Sequence, residues 1–187
     1  MNNKSADEIE EYILNMNSYS TKAEITINTN KNTNKYLVTE QFNKQDNVYR
    51  KEVLEPENIS GMVFIYDGST LSIKNTNLNL SSIYENYQEL SNNNLSLKSF
   101  IEDYVKDNES KIYEENNMII LEAKTENLYN AYKKLYINKD NGKPIKIEIE
   151  DISHKPLIYI LYNEIEINNI KKEDILAFNL ELQEYGI

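Results

Sequence analysis

The chain has 187 residues, 40% of them hydrophobic, with a formal net charge of -11. That length and apolar content support one folded domain with a sizeable core, and only four glycines and three prolines exclude a linker or fibrous chain. The acidic balance excludes the concentrated basic surface that nucleic acid requires and argues against an anionic membrane as an electrostatic partner; a basic partner, a cation-rich envelope or solubility alone remain open.

The first predicted element is a helix over residues 5–17. Ser5 and Glu8 make a capping-box pattern, Asp7 adds a favourable first-turn charge, and Ile9, Tyr12, Ile13 and Met16 form one apolar stripe at helical spacing. The period then falls to two. Ala23, Ile25 and Ile27 alternate with polar residues as a strand, and a polar turn follows over 29–34. Strands are expected over 35–42 and 48–54, with a turn over 43–47 between them and Pro56 ending the second. Met62 to Tyr66 is a short apolar strand, and Asp67-Gly68 is a hairpin signal leading into Leu71-Ser72-Ile73. Residues 75–94 are read as a long polar loop containing Leu78, Leu80, Ile83, Tyr84 and Tyr87.

A second helix is expected over 95–107, with Asn94 as N-cap and Leu97, Phe100, Ile101, Tyr104 and Val105 as its apolar face. Strands follow near 111–115, 118–123, 131–137, 143–150 and 156–168, with Asp140-Asn141-Gly142 as a turn. Residues 171–178 fit a short helix before a terminal extended segment. No composition shift marks a boundary, so the chain reads as one domain, 1–187, with the N-terminal helix at about 5–17, strands at about 19–73, loop and helix at about 75–107 and strands at about 111–187. Helix, hairpins, helix, hairpins is an α+β pattern, with an antiparallel sheet covered by the two amphipathic helices.

Nowhere do the residues of an enzyme assemble. His154 is the single histidine, so zinc sites built on two or three histidines cannot form within one chain; it lies in an expected turn, read as an exposed turn residue or, less simply, a pH sensor. There is no cysteine, hence no disulfide, thiolate nucleophile or cysteine-bound metal. Placing Gly142 at the sixth position of a calcium loop puts Ile137 where a carboxylate is required, which defeats that reading. Neither a nucleophile elbow nor a glycine-rich phosphate cradle is present. With 31 Asp and Glu residues, chance carboxylate pairs are unavoidable, and none stands in an apolar context. The expectation is therefore no catalytic residue, no metal and no cofactor.

Arg50 is the single arginine among 20 basic residues. If residues 44–46 form the loop, Glu40 lies opposite it, and a cross-strand ion pair competes with an interface role for the guanidinium. Tyr84 and Tyr87 are the candidate aromatic anchors for a partner, against a reading as local packing. No stretch approaches the about 18 apolar residues of a membrane-spanning helix, and the opening Met1-Asn2-Asn3-Lys4-Ser5 is hydrophilic, as a chain would be after removal of an export signal.

The segment running Tyr36-Leu37-Val38-Thr39-Glu40-Gln41-Phe42, then Tyr49-Arg50-Lys51-Glu52-Val53-Leu54-Glu55-Pro56, then Met62-Val63-Phe64-Ile65-Tyr66-Asp67-Gly68, resembles the lipoprotein-carrier superfamily of LolA, LolB and RseB. In that family a helix precedes an arginine-bearing strand, a Glu-Pro end and an apolar strand closing at Asp-Gly. The Asn- and Lys-rich version here is most similar to the GerS-type clostridial germination lipoproteins. The resemblance implies a strongly curved antiparallel half-barrel with helices over its concave face. It also implies a non-catalytic spore lipoprotein that binds and activates the zinc-dependent N-acetylmuramoyl-L-alanine amidase CwlD, needed for muramic-δ-lactam formation and germination. An exported protein, lipid-anchored in the spore envelope, is implied as well, although the lipobox cysteine of the family is not in this sequence. The alternative is a lipid or lipoprotein carrier holding acyl chains in the half-barrel cavity. A third reading, from open-edged hairpins alone, is a strand-swapped homodimer.

Overall fold

The computed structural model describes residues 4–87 and 95–183, the side chains of 178–183 excepted. Helix α1 spans Ala6–Leu14. The strands β1 (Ser18–Asn28), β2 (Thr33–Asn43), β3 (Val48–Glu55), β4 (Met62–Tyr66), β5 (Leu71–Asn75) and β6 (Leu80–Tyr84) follow. After α2 (Leu97–Lys106) come β7 (Lys111–Glu115), β8 (Met118–Lys124), β9 (Tyr132–Asn138), β10 (Pro144–Glu150) and β11 (Pro156–Ile167), then α3 (Lys172–Gln183). The eleven strands form one open antiparallel sheet in the order β6-β5-β4-β3-β2-β1-β11-β10-β9-β8-β7. This is the α+β class expected from the alternation of periods.

The chain divides into two compact units. The first comprises Met1–Asn15, Glu24–Lys35 and Leu90–Asn163. Here α1 begins as expected: Ser5 N–H donates to Glu8 Oε2 at 2.7 Å, and Glu8 N–H donates back to Ser5 Oγ at 3.2 Å. Helix α1 packs on β7 and β8, and α2 packs on β8. Ile9, Ile13, Leu97, Phe100 and Tyr104 are buried. Across the strands, Leu121 stands opposite Leu135, Leu135 opposite Ile147, and Ile147 opposite Ile160, so one face of β8–β11 is a continuous apolar layer. Lys133, on the same face as Leu135 and Ile137, is the polar exception. Its Nζ is 2.5 Å from Asp103 Oδ2 and 3.3 Å from Ser99 Oγ, both on α2, so the burial of an ammonium group is offset by pairing.

The second unit comprises Met16–Ala23, Tyr36–Glu89 and Glu164–Ile187. Tyr19, Val38, Phe42, Val48, Val63, Ile65 and Ile175 are buried, and α3 packs on β3. Glycine is required at the entrance to β4. Gly61 has φ +80°, and a Cβ there would stand 2.7 Å from Thr76 Oγ1 and 2.8 Å from Asn77 Nδ2.

Several sequence expectations change. The first helix ends at Leu14, and β1 starts at Ser18. The second helix is capped by Ser96, whose side chain accepts from Ser99 N–H, and Val105 is exposed, away from the buried face; Asn94, the expected cap, lies outside the described residues. The long loop contains a strand, β6, paired with β5 from Leu71–Tyr84 to Asn75–Leu80; residues 88–94 of it lie outside the described residues. The last helix continues to Gln183 instead of stopping at 178, and the extended segment expected after it falls on residues 184–187, also outside the described residues.

Candidate functional site

The β2–β3 hairpin corrects the expected Arg50–Glu40 pair. Asn43 pairs with Val48, so the connection has four residues, with Asn47 in the left-handed region at φ 49° and Asn43 Oδ1 accepting from Asp46 N–H. The register is thereby one residue later than a three-residue loop would give. Glu40 faces Lys51, and Arg50 faces Gln41. Glu40, nearly buried, accepts from Tyr19 Oη–H and lies 3.2 Å from Lys51 Nζ, while the Arg50 guanidinium donates to Glu52 Oε2 at 2.9 Å. Glu40 is thus a structural group held by two neighbours.

Tyr84 and Tyr87 separate. Tyr87 packs edge-on against Tyr66 with ring centroids 6.2 Å apart, and Tyr66 stacks on Tyr49 at 5.5 Å, so Tyr87 is absorbed into local packing. Tyr84 ends β6 and is half exposed. With Leu78, Leu80 and Ile83, each more than 60% exposed, it makes an apolar edge in a chain that hides most of its large side chains. All five residues of β6 are exposed, so no apolar-in, polar-out alternation marks the strand in the sequence.

In the first unit, the face of β7–β10 opposite α2 carries a ladder of charges and tyrosines. Lys111 Nζ is 3.7 Å from Glu122, and Lys134 Nζ lies 3.9 Å from Glu122 and 2.6 Å from Glu150. His154, at φ 59° in the turn after β10, brings Nδ1 to 2.9 Å from Glu150 Oε2 and stacks on Tyr132 at 4.0 Å. The turn position and the exposure of the side chain are as expected, and the ring also contacts Glu150 and Tyr132. Lys146 sits 3.0 Å from Glu148 and 4.1 Å over the Tyr136 ring. Burial alone would raise the Glu150 carboxyl pKa, but hydrogen bonds from Lys134 and His154 outweigh it and hold the pKa below the ordinary carboxylate value. Burial likewise disfavours charge on Lys134, yet Glu150 and Glu122 raise it overall. Burial, with Glu148 nearby, pushes the Tyr136 phenol up to about 12.

These shifts bear on chemistry. A general acid among paired carboxylates needs one raised pKa, and Glu150 moves the other way. Each carboxylate of the ladder is matched with a cation, which makes a stable polar face. Among the described residues, no group of three or more His, Asp or Glu is placed to share a metal ion. A cavity of about 930 Å³ opens beside the end of α2, lined by Asp103, Lys106, Asp107, Lys124, Glu126 and Lys133 among others. Its lining is charged, unlike the apolar walls that an acyl chain would occupy.

Comparison with known proteins gives concordant results. The family model described as "Sporulation protein YdcC-like" matches residues 1–176. No curated protein matches. Among solved structures, an uncharacterized conserved protein from Thermus thermophilus superposes with a TM-score of 0.59 at 15% identity, covering 92% of this chain and 93% of the other. The structure of the CwlD amidase from Clostridioides difficile in complex with the GerS lipoprotein matches with a TM-score of 0.55 at 26% identity, over 89% of this chain and 98% of the matched chain. MucB matches with a TM-score of 0.55 at 13% identity, over 90% of this chain and 61% of MucB. The fold resemblance read from residues 36–73 thus extends over most of the chain.

Proposed function

Because the chain belongs to the sporulation protein YdcC-like family, we propose that it is a non-catalytic partner protein of the spore envelope that binds and activates a zinc-dependent N-acetylmuramoyl-L-alanine amidase of the CwlD kind. The observation that carries this reading is the 26% identity across nearly the whole matched chain of the complex between that amidase and GerS. In this reading the metal and the hydrolytic chemistry belong to the amidase, and the present chain stabilises the amidase's active form by binding it better than the inactive one. Paired carboxylates on the β7–β10 face support a binding role over a catalytic one. The proposed setting is export to the spore envelope, where amidase action contributes to muramic-δ-lactam formation and germination.

The test is co-expression with the amidase of the same organism, affinity capture through this chain, and native mass spectrometry of the purified chain alone. Co-elution at fixed stoichiometry and a bare mass for the chain are expected. Failure to capture the amidase, together with bound acyl chains in the spectrum, would replace it with the carrier reading.

A further inference from the structure

The cavity beside the end of α2, about 930 Å³ in volume, lies wholly within the first unit and falls in the roughly 300–1,000 Å³ range of small-ligand sites. Three lysines (Lys106, Lys124 and Lys133) and four carboxylates (Asp103, Asp107, Glu109 and Glu126) line it. Lys133 is the buried member of this lining, the whole residue being 7% exposed. An ammonium group has three N–H donors. Asp103 Oδ2 at 2.5 Å and Ser99 Oγ at 3.3 Å accept two of them, so one donor stays available at the buried end of the cavity. Asp107 is occupied by its own loop and strand, accepting from the backbone N–H groups of Glu109 at 2.9 Å and Lys124 at 2.7 Å. The remaining side chains, Lys106, Lys124, Glu109 and Glu126, are exposed, and none makes a hydrogen bond or ion pair among the described residues. On the other face of this part of the sheet, by contrast, Glu122, Glu148 and Glu150 are each paired with a lysine.

We propose that this cavity binds a short zwitterionic peptide, its carboxylate directed to Lys133 and the rim lysines and its free amine to Glu109 and Glu126. A purely anionic ligand would gain the lysines but face four carboxylates, and a purely cationic one would face three lysines. A molecule that carries both charges, held apart by peptide units, meets a partner for each. The asparagine side chains of the same lining suit the amide groups between the two ends. The inference rests on the amidase reading for the origin of such a peptide alone. Cleavage at an N-acetylmuramoyl-L-alanine amide frees an alanine amine on a peptide that ends in a carboxylate. The rim is solvated, so binding is weak, with a Kd of about 0.1–1 mM.

Nuclear magnetic resonance of the isotope-labelled chain alone tests this, with tri-alanine, its N-acetyl derivative and its C-terminal amide each added to about 20 mM. Tri-alanine should give saturable shifts at residues 106–109, 124–127 and 133. Each derivative, lacking one charge, should bind at least about threefold more weakly. The double variant Glu109→Gln, Glu126→Gln should weaken tri-alanine about threefold and leave the N-acetyl peptide unchanged, because that peptide has no amine to lose contact with. Lys106→Gln with Lys124→Gln should weaken tri-alanine similarly and leave the amide unchanged. All four side chains are exposed and unpaired among the described residues, and unshifted resonances elsewhere establish that each variant is folded. No saturation, equal binding of the three peptides, or variants that affect all three alike would each overturn the proposal. The amidase is absent from this experiment, so a failure here leaves amidase capture untouched, and a failed capture leaves peptide binding intact.

Discussion

Replacing Asp103 by alanine should destabilise the chain more than replacing Lys133 by methionine, although both break the same ion pair. The Lys133 side chain is 8% exposed and the Asp103 side chain 22%. Loss of Lys133 leaves a carboxylate that can recruit water, and methionine fills the apolar stem position against the sheet. Loss of Asp103 leaves a buried ammonium held by Ser99 Oγ, 3.3 Å away. Removing one member of a fully buried pair costs about 3–5 kcal/mol; partial exposure of Asp103 lowers this to about 2–4 kcal/mol for Asp103→Ala and about 1–2 kcal/mol for Lys133→Met. The alanine also improves the helix and removes an anion near its C-terminus, which offsets about 0.5 kcal/mol of the loss. Urea unfolding followed by circular dichroism measures both, and the double variant closes the cycle, with a coupling of about 1–3 kcal/mol expected. Lys133→Met costing as much as Asp103→Ala, or a coupling near zero, would refute the view that this pair fastens α2 to β9.

Glu150, held below its ordinary pKa of 4.5, contributes stability that is complete above that value and is lost as pH falls through the folded pKa. Acid titration should therefore show wild type losing stability below pH 4.5 more steeply than Glu150→Gln, and parallel curves would count against the ladder. Tyr136, raised to about 12, favours the neutral phenol in the fold, so its contribution is present below pH 10 and is lost as pH rises from 10 towards 12; Tyr136→Phe should flatten the alkaline limb of the same titration. Ser5→Ala removes the cap of α1 and should cost about 1 kcal/mol in urea unfolding, with no effect above about 0.3 kcal/mol counting against the capping box. Gly61→Ala should cost at least about 1 kcal/mol, because both its φ and the space beside Thr76 exclude a side chain; an unchanged midpoint would contradict this.

What could be read from the residues alone follows from range. The Ser5–Glu8 box, the Asp67-Gly68 turn and the period-two strands depend on neighbours a few positions apart, and all appear where expected. The Arg50–Glu40 pairing failed because register passes through the turn: one extra residue, allowed by the left-handed Asn47, moved every partner by one. Strand β6 escaped because its residues are all exposed, leaving no burial pattern to detect. The Lys111–Glu122–Lys134–Glu150–His154 ladder spans four strands, and only their registers bring it together. Lys133 carried no warning of burial, since its partner Asp103 lies 30 residues away on α2.

The central claim, that this chain governs an enzyme's chemistry without performing it, is tested most directly on the amidase itself. Zinc content and peptidoglycan hydrolysis of the purified amidase should be measured alone, with one equivalent of this chain, and with this chain heat-denatured. The proposed function requires zinc occupancy and hydrolysis to rise together with the native chain only, while the chain alone hydrolyses nothing. Unchanged zinc and unchanged hydrolysis with the native chain would contradict it.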